Sequence, residues 1–429
     1  MDRFSQRKLT KEKRQNQQCR VFSIKIDRSK LSIKNKEHLE GLFREARWYY
    51  NYCVSQKNVN NAETKIKTVQ VKVLDRFEDR IFNYLTAQMK QEIKARSFSS
   101  IKTLHKLKCN GNKVGKLKFK SIVNSIVLKQ FNKTFFVDFK NKKIKIQCLK
   151  SWLRVNGLEQ IFPNMEIANA VLLRKNKDYY INITTYSEKE NKNIPEVSMG
   201  IDFGCQTQMT FSNGIKAEFQ VPISKRLRRL DRKIMKNNRP KSKNKEKDKE
   251  KRRIEYQKIV NKKTYIRHKI VSVITKNYQH VCFQDESIHA WAAGNHGKKI
   301  QNSGIGGIIA DLKHKSATPH EVSKLFPSTQ LCLQCGIKNK QELKDRIYIC
   351  ECGYREDRDL KSAVCIEREG MKEIEPQGSV PMDRRDFKLE ENWSSAFFDQ
   401  LTNINGIKVS KIDSLSQEAL KKSRSQIFG

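Results

Sequence analysis

Two short cysteine motifs constrain the fold of this chain more than any other feature. Cys332 and Cys335 are separated by two residues, and after fourteen further residues Cys350 and Cys352 are separated by one. Four thiolates from two knuckles suit a tetrahedral zinc ion, and a glycine follows each pair. The pattern predicts a zinc ribbon holding one structural Zn²⁺ with no open coordination position. Four unrelated buried cysteines are the alternative.

The charge of the chain indicates a polyanionic partner. Lys and Arg number 88 against 46 Asp and Glu, which leaves a net charge of +42 over 429 residues. Nucleic acid is the first candidate, because the basic residues are spread over the whole chain and no apolar run of about 18 residues could span a membrane. The N-terminal segment contains no apolar secretory region, so we expect a cytoplasmic protein of two to four domains.

The first part of the sequence, residues 1–195, reads as a β-rich domain with a helical insertion at about 34–108. Residues 19–27 alternate as a strand, and apolar residues at helical spacing follow from Leu39. A polar, helix-favouring stretch then continues to about residue 105, before several basic strands and a hairpin. The polar, proline-containing segment near residue 195 predicts a domain boundary.

The second part begins with two predicted strands, and Asp202 lies in the middle of the first. A long, very basic helical region follows from residue 222 to about 278, with a break at 238–242, and then a short buried strand, VCFQ. The last segment, residues 371–429, is polar and contains no recognisable motif.

Three acidic residues lie where a nuclease site would need them. Asp202 lies in a predicted buried strand, Glu286 follows a later strand, and Asp359 opens a helix. Hydrolysis of a phosphodiester by two metal ions needs converging carboxylates, and Mg²⁺ prefers oxygen ligands. Each acid alone is weak support, because an Asp beside glycines is often a turn residue and an Asp before a helix is often an N-cap.

The order of these motifs resembles the split RuvC nuclease domain of the TnpB proteins and of the miniature type V-F CRISPR effectors. The matching segments, within roughly residues 196–370, are GIDFG, VCFQDESIHAW, PSTQLCLQCG and CECGYREDRDLKSA. The resemblance implies an α/β multidomain protein with an RNase H-like (RuvC) fold. It also implies a bound guide RNA and cleavage of target double-stranded or single-stranded DNA beside a short adjacent motif. Genomic context alone separates CRISPR members from transposon-encoded members.

Carried over by position, Asp202, Glu286 and Asp359 match the metal-binding carboxylates for two Mg²⁺ ions. The implied domains are a wedge-like domain at 1–195 with a helical recognition insertion at about 34–108, a first RuvC part at 196–325, a zinc-ribbon module that binds target nucleic acid at 326–356, the last RuvC helix at 357–370 and a polar tail at 371–429.

The sequence departs from the family pattern at two places. Lys361 and Ser362 stand where the family motif Asp-Arg-Asp-x-Asn-Ala-Ala has Asn and Ala, beside the expected metal site. The strand before the second acid ends in Gln284-Asp285-Glu286 where Glu-Asp is common, so Asp285 is an alternative to Glu286. In the last motif, Asp357 is the reserve candidate for Asp359, and Glu356 is expected to face solvent.

Basic and aromatic residues are candidates for contact with nucleic acid. A guide and its heteroduplex would be held through backbone phosphates, while base pairing supplies sequence specificity. Trp48 and Tyr49 could offer a base-stacking surface, although helical spacing favours core packing for at least one of the neighbouring aromatic residues. The basic candidates are Lys116, Lys118, Lys120, Arg226, Arg228 and Arg229.

Two other functions are compatible with parts of this pattern. A nuclease-inactive, RNA-guided DNA-binding repressor would account for the altered Lys361-Ser362 pair. A zinc-ribbon RNA-binding protein without a guide would account for the charge and the cysteines, but not for the order of the acidic motifs. A homodimer on one guide RNA is a possible assembly, since type V-F relatives pair two copies whereas TnpB relatives act singly.

Overall fold

The computed structural model describes residues 3–73, 76–189, 194–236, 242–342, 345–372 and 391–412. The chain divides into two compact units, with the boundary between residues 191 and 192. Both helices and sheets occur in each unit, so the chain is a mixed α/β protein. Among the described residues, no helix is both long enough and apolar enough to cross a membrane.

The first unit is built on one sheet of seven strands. Its elements are α1 (Arg3–Gln15), β1 (Gln17–Ile26), α2 (Ile33–Ser55), β2 (Thr68–Val73), β3 (Arg76–Ile81), α3 (Ala87–Cys109), β4 (Ser125–Leu128), β5 (Phe135–Asp138), β6 (Lys143–Ile146), β7 (Leu153–Asn156), β8 (Glu166–Lys175) and β9 (Asp178–Glu188). The strand order is β4-β8-β9-β1-β7-β6-β5, and every pairing is antiparallel.

Helix α2 supplies one side of the core of this unit. Ser32 caps its N-terminus by accepting a hydrogen bond from the backbone N–H of Asn35 at 3.2 Å. The apolar residues recur every three or four positions, so one face of the helix is buried in a core cluster shared with Ile24 and Ile181. Each fully buried aliphatic side chain contributes about 1.5–3 kcal/mol, and this burial fixes the helix in the unit.

Residues 68–81 form a hairpin, β2 and β3, where the sequence suggested a continuous helix-favouring stretch. The alternation of valine with polar residues in TVQVKV has the period of a strand, and Val69 is buried. The expectation of helix is therefore wrong here, because β-branched residues in alternation outweigh the polar composition of the surrounding segment.

The carboxylate of Glu45 connects α2 to the start of α3. It is buried and accepts hydrogen bonds from the backbone N–H groups of Asn83, Tyr84 and Leu85 at 2.8–2.9 Å. We expect Glu45→Gln to lower the free energy of unfolding by about 2 kcal/mol, because an amide N–H would then face a backbone N–H. Chemical denaturation measures this loss. Glu37→Gln on the exposed face of the same helix is the control, and equal stability of both variants would contradict the assignment.

The second unit contains a six-stranded sheet, a two-stranded hairpin and seven helices among its described residues. Its elements are β10 (Ser198–Phe203), β11 (Met209–Phe211), β12 (Ile215–Glu218), α4 (Lys225–Lys236), α5 (Lys243–Asn277), β13 (His280–Gln284), α6 (Ile288–Ala293), α7 (Gly297–Ser303), α8 (Ile305–Lys315), β14 (Thr318–Val322), β15 (Ile347–Ile349), β16 (Arg355–Asp357), α9 (Arg358–Met371), α10 (Glu391–Thr402) and β17 (Lys408–Lys411). The sheet order is β14-β13-β10-β11-β12-β17.

Strand β10 lies at the centre of this sheet. It is antiparallel to β11 and parallel to β13, which in turn pairs in parallel with β14. Helix α9 crosses β10 so closely that a Cβ atom added to Gly200 would lie 2.1 Å from the carbonyl oxygen of Ala363. Glycine is therefore required at this point, and the close approach packs α9 directly against the strand that carries Asp202.

Residues 391–412 belong to the second unit, although the sequence placed them in a polar tail. Strand β17 pairs antiparallel with β12, and Phe397 of α10 is fully buried against Phe211 and Tyr278, with ring centroids 5.1 and 5.2 Å away. The assignment of the whole of 371–429 to a tail is therefore wrong for this segment. Pro376 and Pro381, noted in the sequence, lie outside the described residues.

Candidate functional site

The four cysteines of the two motifs lie together. One sulfur from each cysteine falls within 4.8 Å of all the others. The Sγ atoms of Cys332 and Cys352 are 3.6 Å apart, and those of Cys335 and Cys350 are 3.5 Å apart. The second pair lies in the turn between β15 and β16, so the hairpin presents its cysteines to the knuckle formed by the first pair.

The glycine after each pair allows the chain to turn back at the sulfur cluster. Gly336 and Gly353 have φ angles of 72° and 85°, in the left-handed region that favours glycine. Their N–H groups donate to the carbonyl oxygens of Cys332 and Cys350 at 3.1 and 2.9 Å. These turns close the two knuckles and leave the sulfurs facing one another.

The sulfur cluster fits a tetrahedral zinc ion. With Zn–S bonds of about 2.3 Å, tetrahedral geometry requires sulfur separations of about 3.8 Å, close to the two distances above. Although burial opposes ionisation, backbone N–H groups and the neighbouring thiols lower the pKa of Cys332 to about 7. Tyr348 and Tyr354 pack beside the buried cysteines in a small apolar cluster, and the donor set is complete without an open position.

The three candidate acids are brought to one end of the central strands. Asp202 follows Ile201, which pairs with Phe283 of β13, so Glu286 lies just beyond the same end of the sheet. Asp359 lies in the first turn of α9. Burial and the charges of Asp359 and Glu286 raise the pKa of Asp202 to about 8, which reflects three carboxyl groups in one half-buried cluster.

Glu286 and Asp285 have different surroundings. Burial, followed by the charge of Asp285, raises the pKa of Glu286, and Glu286 is one of the charges that act on Asp202. Asp285 is exposed and accepts a hydrogen bond from Nζ of Lys313 at 3.2 Å, and the same ammonium group also pairs with Glu321. The geometry therefore directs Glu286 towards the cluster and Asp285 away from it.

The carboxylate of Asp357 contacts both the N-terminus of α9 and a lysine of β12. The carboxylate caps α9 by accepting hydrogen bonds from the N–H groups of Asp359 and Leu360, both at 3.0 Å. It also forms a 2.8 Å ion pair with Lys216 of β12. Glu356 lies in β16 opposite Tyr348 and is half-buried. Asp357 thus fixes the start of the helix that carries Asp359.

A polar cavity lined by both basic and acidic side chains includes Asp359, and no pattern in the sequence indicated it. The cavity has a volume of about 510 Å³, and its lining includes Lys216, Lys299 and Arg346 together with Asp357 and Asp359. A guanidinium nitrogen of Arg346 lies 3.8 Å from Asp359. In a chain with 88 basic residues no local pattern marks these three, because they come from three separate segments.

The first unit contains an open groove with aromatic and basic walls. The groove has a volume of about 800 Å³ between α2, the β2–β3 hairpin and residues 119–120, and its lining includes Trp48 and Lys120. Phe77 and Phe119 at its edge are 68% and 65% exposed. Tyr49, in contrast, is fully buried and donates a hydrogen bond to the carbonyl of Glu63, so it packs in the core and faces no ligand.

The predicted basic residues are exposed in both units. Lys116, Lys118 and Lys120 lie on an irregular segment that is held along α2, where Asn51 exchanges hydrogen bonds with the backbone of Lys120. The ammonium of Lys120 lies 4.1 Å from the ring centroid of Tyr50. In the second unit, Arg226, Arg228 and Arg229 lie on the solvent face of α4, whose Leu227 and Leu230 are buried.

Comparison with known proteins identifies one segment of the chain. Residues 310–366, from α8 through the ribbon into α9, match the family model described as Cas12f1-like, TNB domain. A cryo-EM structure of a Cas12f1-sgRNA-target DNA complex covers 78% of this chain and 83% of its own, with 14% identity and a TM-score of 0.45. No curated protein matches the sequence. Residues 310–366 therefore form a domain of the Cas12f1-like TNB family, which confirms for this segment the resemblance to TnpB and type V-F effectors.

Proposed function

We propose that the protein is an RNA-guided DNA endonuclease with a single RuvC-type active site. The observation that carries the proposal is the placement of the acids: Asp202 and the segment leading to Glu286 leave the same end of β10 and β13, and Asp359 lies in the first turn of α9, which packs on β10. The strand order supports it, since three antiparallel strands followed by two parallel ones, with a helix across them, is the arrangement expected of an RNase H-like domain.

The acid cluster has the donor chemistry that Mg²⁺ prefers. Three carboxylates held close together repel one another, and a divalent cation bound between them relieves this repulsion. Asp202, Glu286 and Asp359 would hold the two metal ions, which supply an activated water and stabilise the leaving oxygen of the phosphodiester. Lys216 keeps the N-terminus of α9 in place through Asp357. Lys299 and Arg346 line the adjoining cavity, where they would contact the phosphate backbone of the substrate strand.

The net charge of the chain and the groove in the first unit support the proposed nucleic-acid partners. A net charge of +42 favours binding of a guide RNA through its phosphates. The groove beside Trp48 and Lys120 combines exposed aromatic rings with cationic side chains, which suits contact with bases and backbone of nucleic acid. We assign target recognition to this groove together with the guide. The zinc ribbon would act as a structural module that contacts target nucleic acid.

Co-purification followed by plasmid cleavage tests the proposal. Small-RNA sequencing of the purified protein is expected to find one discrete RNA, and the complex is expected to cut a plasmid that carries the matching sequence beside a randomised flank in Mg²⁺. Sequencing of the cut plasmids reads the adjacent motif. Binding of the matched plasmid without any cut would establish the nuclease-inactive repressor. Absence of a discrete RNA would overturn the guide function and leave the zinc-ribbon RNA-binding protein.

The mass of the complex tests its assembly. Light scattering of the protein with its RNA distinguishes one copy of the chain per guide from two. Two copies on one guide would match the homodimer expected of type V-F relatives. One copy would match the single-copy assembly of TnpB relatives.

A further inference from the structure

One loop connects the nuclease sheet to the zinc ribbon. It comprises residues 323–331, between β14 and Cys332, and is called the linking loop below. Lys361 of α9 is fully buried beneath it and donates from Nζ to the carbonyl oxygens of Ser328 and Leu331, at 2.8 and 3.1 Å. The same ammonium group lies 4.1 Å from the ring centroid of Tyr348 in the ribbon hairpin. Lys361 therefore points into the ribbon.

Gln284 holds the same loop from the other side. Its side-chain amide is buried at the end of β13 and donates to the carbonyl oxygens of Ser323 and Phe326, at 3.0 and 2.8 Å. Its amide oxygen accepts a hydrogen bond from the hydroxyl of Ser328 at 3.2 Å. Ser328 thus contacts both residues, with its hydroxyl on Gln284 and its carbonyl on Lys361.

Gln284 and Lys361 lie in the two segments at which the sequence departs from the family pattern, and both belong to one hydrogen-bond network. Gln284 precedes Glu286 by two residues, and Lys361 follows Asp359 by two residues. Each end of the network is therefore connected by two residues of backbone to a candidate metal-binding acid. The middle of the network is the loop that leads directly to the first cysteine knuckle.

We propose that Gln284, Ser328 and Lys361 are positioning residues that couple closure of the zinc ribbon to binding of divalent cations at the acid cluster. The inference rests on the proposed metal site of the nuclease. A closed ribbon holds the linking loop, and the loop fixes the spacing between the strand that leads to Glu286 and the helix that carries Asp359. The loss of either the zinc or the buried ammonium contact loosens this spacing.

The physical basis is the burial of the lysine charge. A buried ammonium group is stable only while its hydrogen-bond acceptors stay in place, because an unpaired charge away from water is strongly unfavourable. If the ribbon opens and the linking loop moves, Lys361 must move towards solvent, and the first turn of α9 moves with it. The same requirement explains why asparagine, with its shorter side chain, would not replace lysine here.

Binding of Mn²⁺, used as a spectroscopic probe for the acid cluster, tests the coupling. Electron paramagnetic resonance titration of the zinc-loaded protein is expected to show affinity about tenfold weaker in Lys361→Met than in wild type, a change of about 1.4 kcal/mol. Removing zinc from the wild type is expected to weaken Mn²⁺ binding to a similar extent, and to have little further effect in Lys361→Met. Lys361→Arg, which keeps the charge and the donors, is expected to recover part of the affinity.

Arg368→Met is the matched control. Arg368 lies two turns further along α9 and donates to the carbonyl of Leu333 at 3.2 Å, so it also holds the ribbon but lies far along the helix from Asp359. It is expected to release zinc more readily to a chelator while Mn²⁺ affinity in the zinc-loaded form stays at the wild-type value. Equal weakening of Mn²⁺ binding in both variants would overturn the positioning role and leave general loss of ribbon stability.

Two further outcomes are decisive. Wild-type Mn²⁺ affinity in zinc-loaded Lys361→Met, or in the zinc-free wild type, would overturn the coupling. If thermal melting shows that Lys361→Met is unfolded, Gln284→Leu tests the same network from the end of β13. The same tenfold weakening of Mn²⁺ binding is expected. Asp202→Asn tests whether Mn²⁺ binds at the acid cluster. Unchanged Mn²⁺ binding in this variant would contradict the proposed metal site itself, independently of the coupling.

Discussion

Replacing Asp202 with asparagine is expected to reduce cleavage of a matched plasmid by about a thousandfold or more. Burial and the negative charges of Asp359 and Glu286 raise the pKa of Asp202, so the three carboxyl groups interact electrostatically. In the proposed two-metal site, the loss of one ligand would remove several kcal/mol of transition-state stabilisation, and about 4 kcal/mol corresponds to a thousandfold change in rate. The measurement is the single-turnover rate in saturating guide RNA and Mg²⁺, with target binding followed separately.

The second motif offers a matched pair of variants for the same assay. Glu286→Gln is expected to lose cleavage nearly as completely, because this half-buried carboxyl group acts on Asp202. Asp285→Asn removes a neighbouring exposed acid that pairs with Lys313, and the rate is expected to stay within about threefold of wild type, as for the loss of a surface ion pair. The opposite ranking of these two variants would move the second ligand to Asp285.

The second large effect concerns the ribbon. Cys350→Ser is expected to abolish zinc binding, because only three of the four sulfurs of the tetrahedral site would remain. Structural zinc contributes on the order of 10 kcal/mol to the folding of small zinc modules, far more than the small apolar cluster of this ribbon can supply. We expect the zinc content, measured by mass spectrometry, to fall from one ion per chain to none, and limited proteolysis to cleave between residues 332 and 352.

Cys109→Ser is the control for this variant. Cys109 is exposed at the end of α3 in the other unit and is not part of the sulfur cluster. It is expected to keep zinc and resist proteolysis as the wild type does. Full zinc retention by Cys350→Ser would contradict the four-sulfur site.

Several parts of the fold follow from local patterns in the sequence. Alternation predicts β1, the pattern of two strands around a tight turn predicts β10, and a short apolar segment predicts β13, while the basic helical region appears as α4 and α5. The cysteine spacing is enough to predict the ribbon, because four soft ligands have few other uses. Each of these patterns is complete within a short stretch of sequence, so no distant contact is needed to recognise it.

The missed parts depend on long-range contacts. The pairing of β17 with β12 joins residues about 190 positions apart, and a four-residue strand with two lysines has no distinctive pattern of its own. Arg346 and Lys216 reach the acids from separate segments in the same way. The hydrogen-bond partners of Lys361 and Gln284 could not be predicted for another reason. A buried polar residue predicts that a hydrogen bond forms, but not which group is its partner.

The position of β17 has a consequence for synthesis of the protein. Until residues 408–411 have been made, β12 has an unpaired edge exposed to solvent, because its partner strand is the last element among the described residues. The interval includes translation of the long basic helices and the ribbon, so the sheet of the second unit is completed only after these segments have been made. Nascent chains would therefore be most prone to intermolecular strand pairing during this interval.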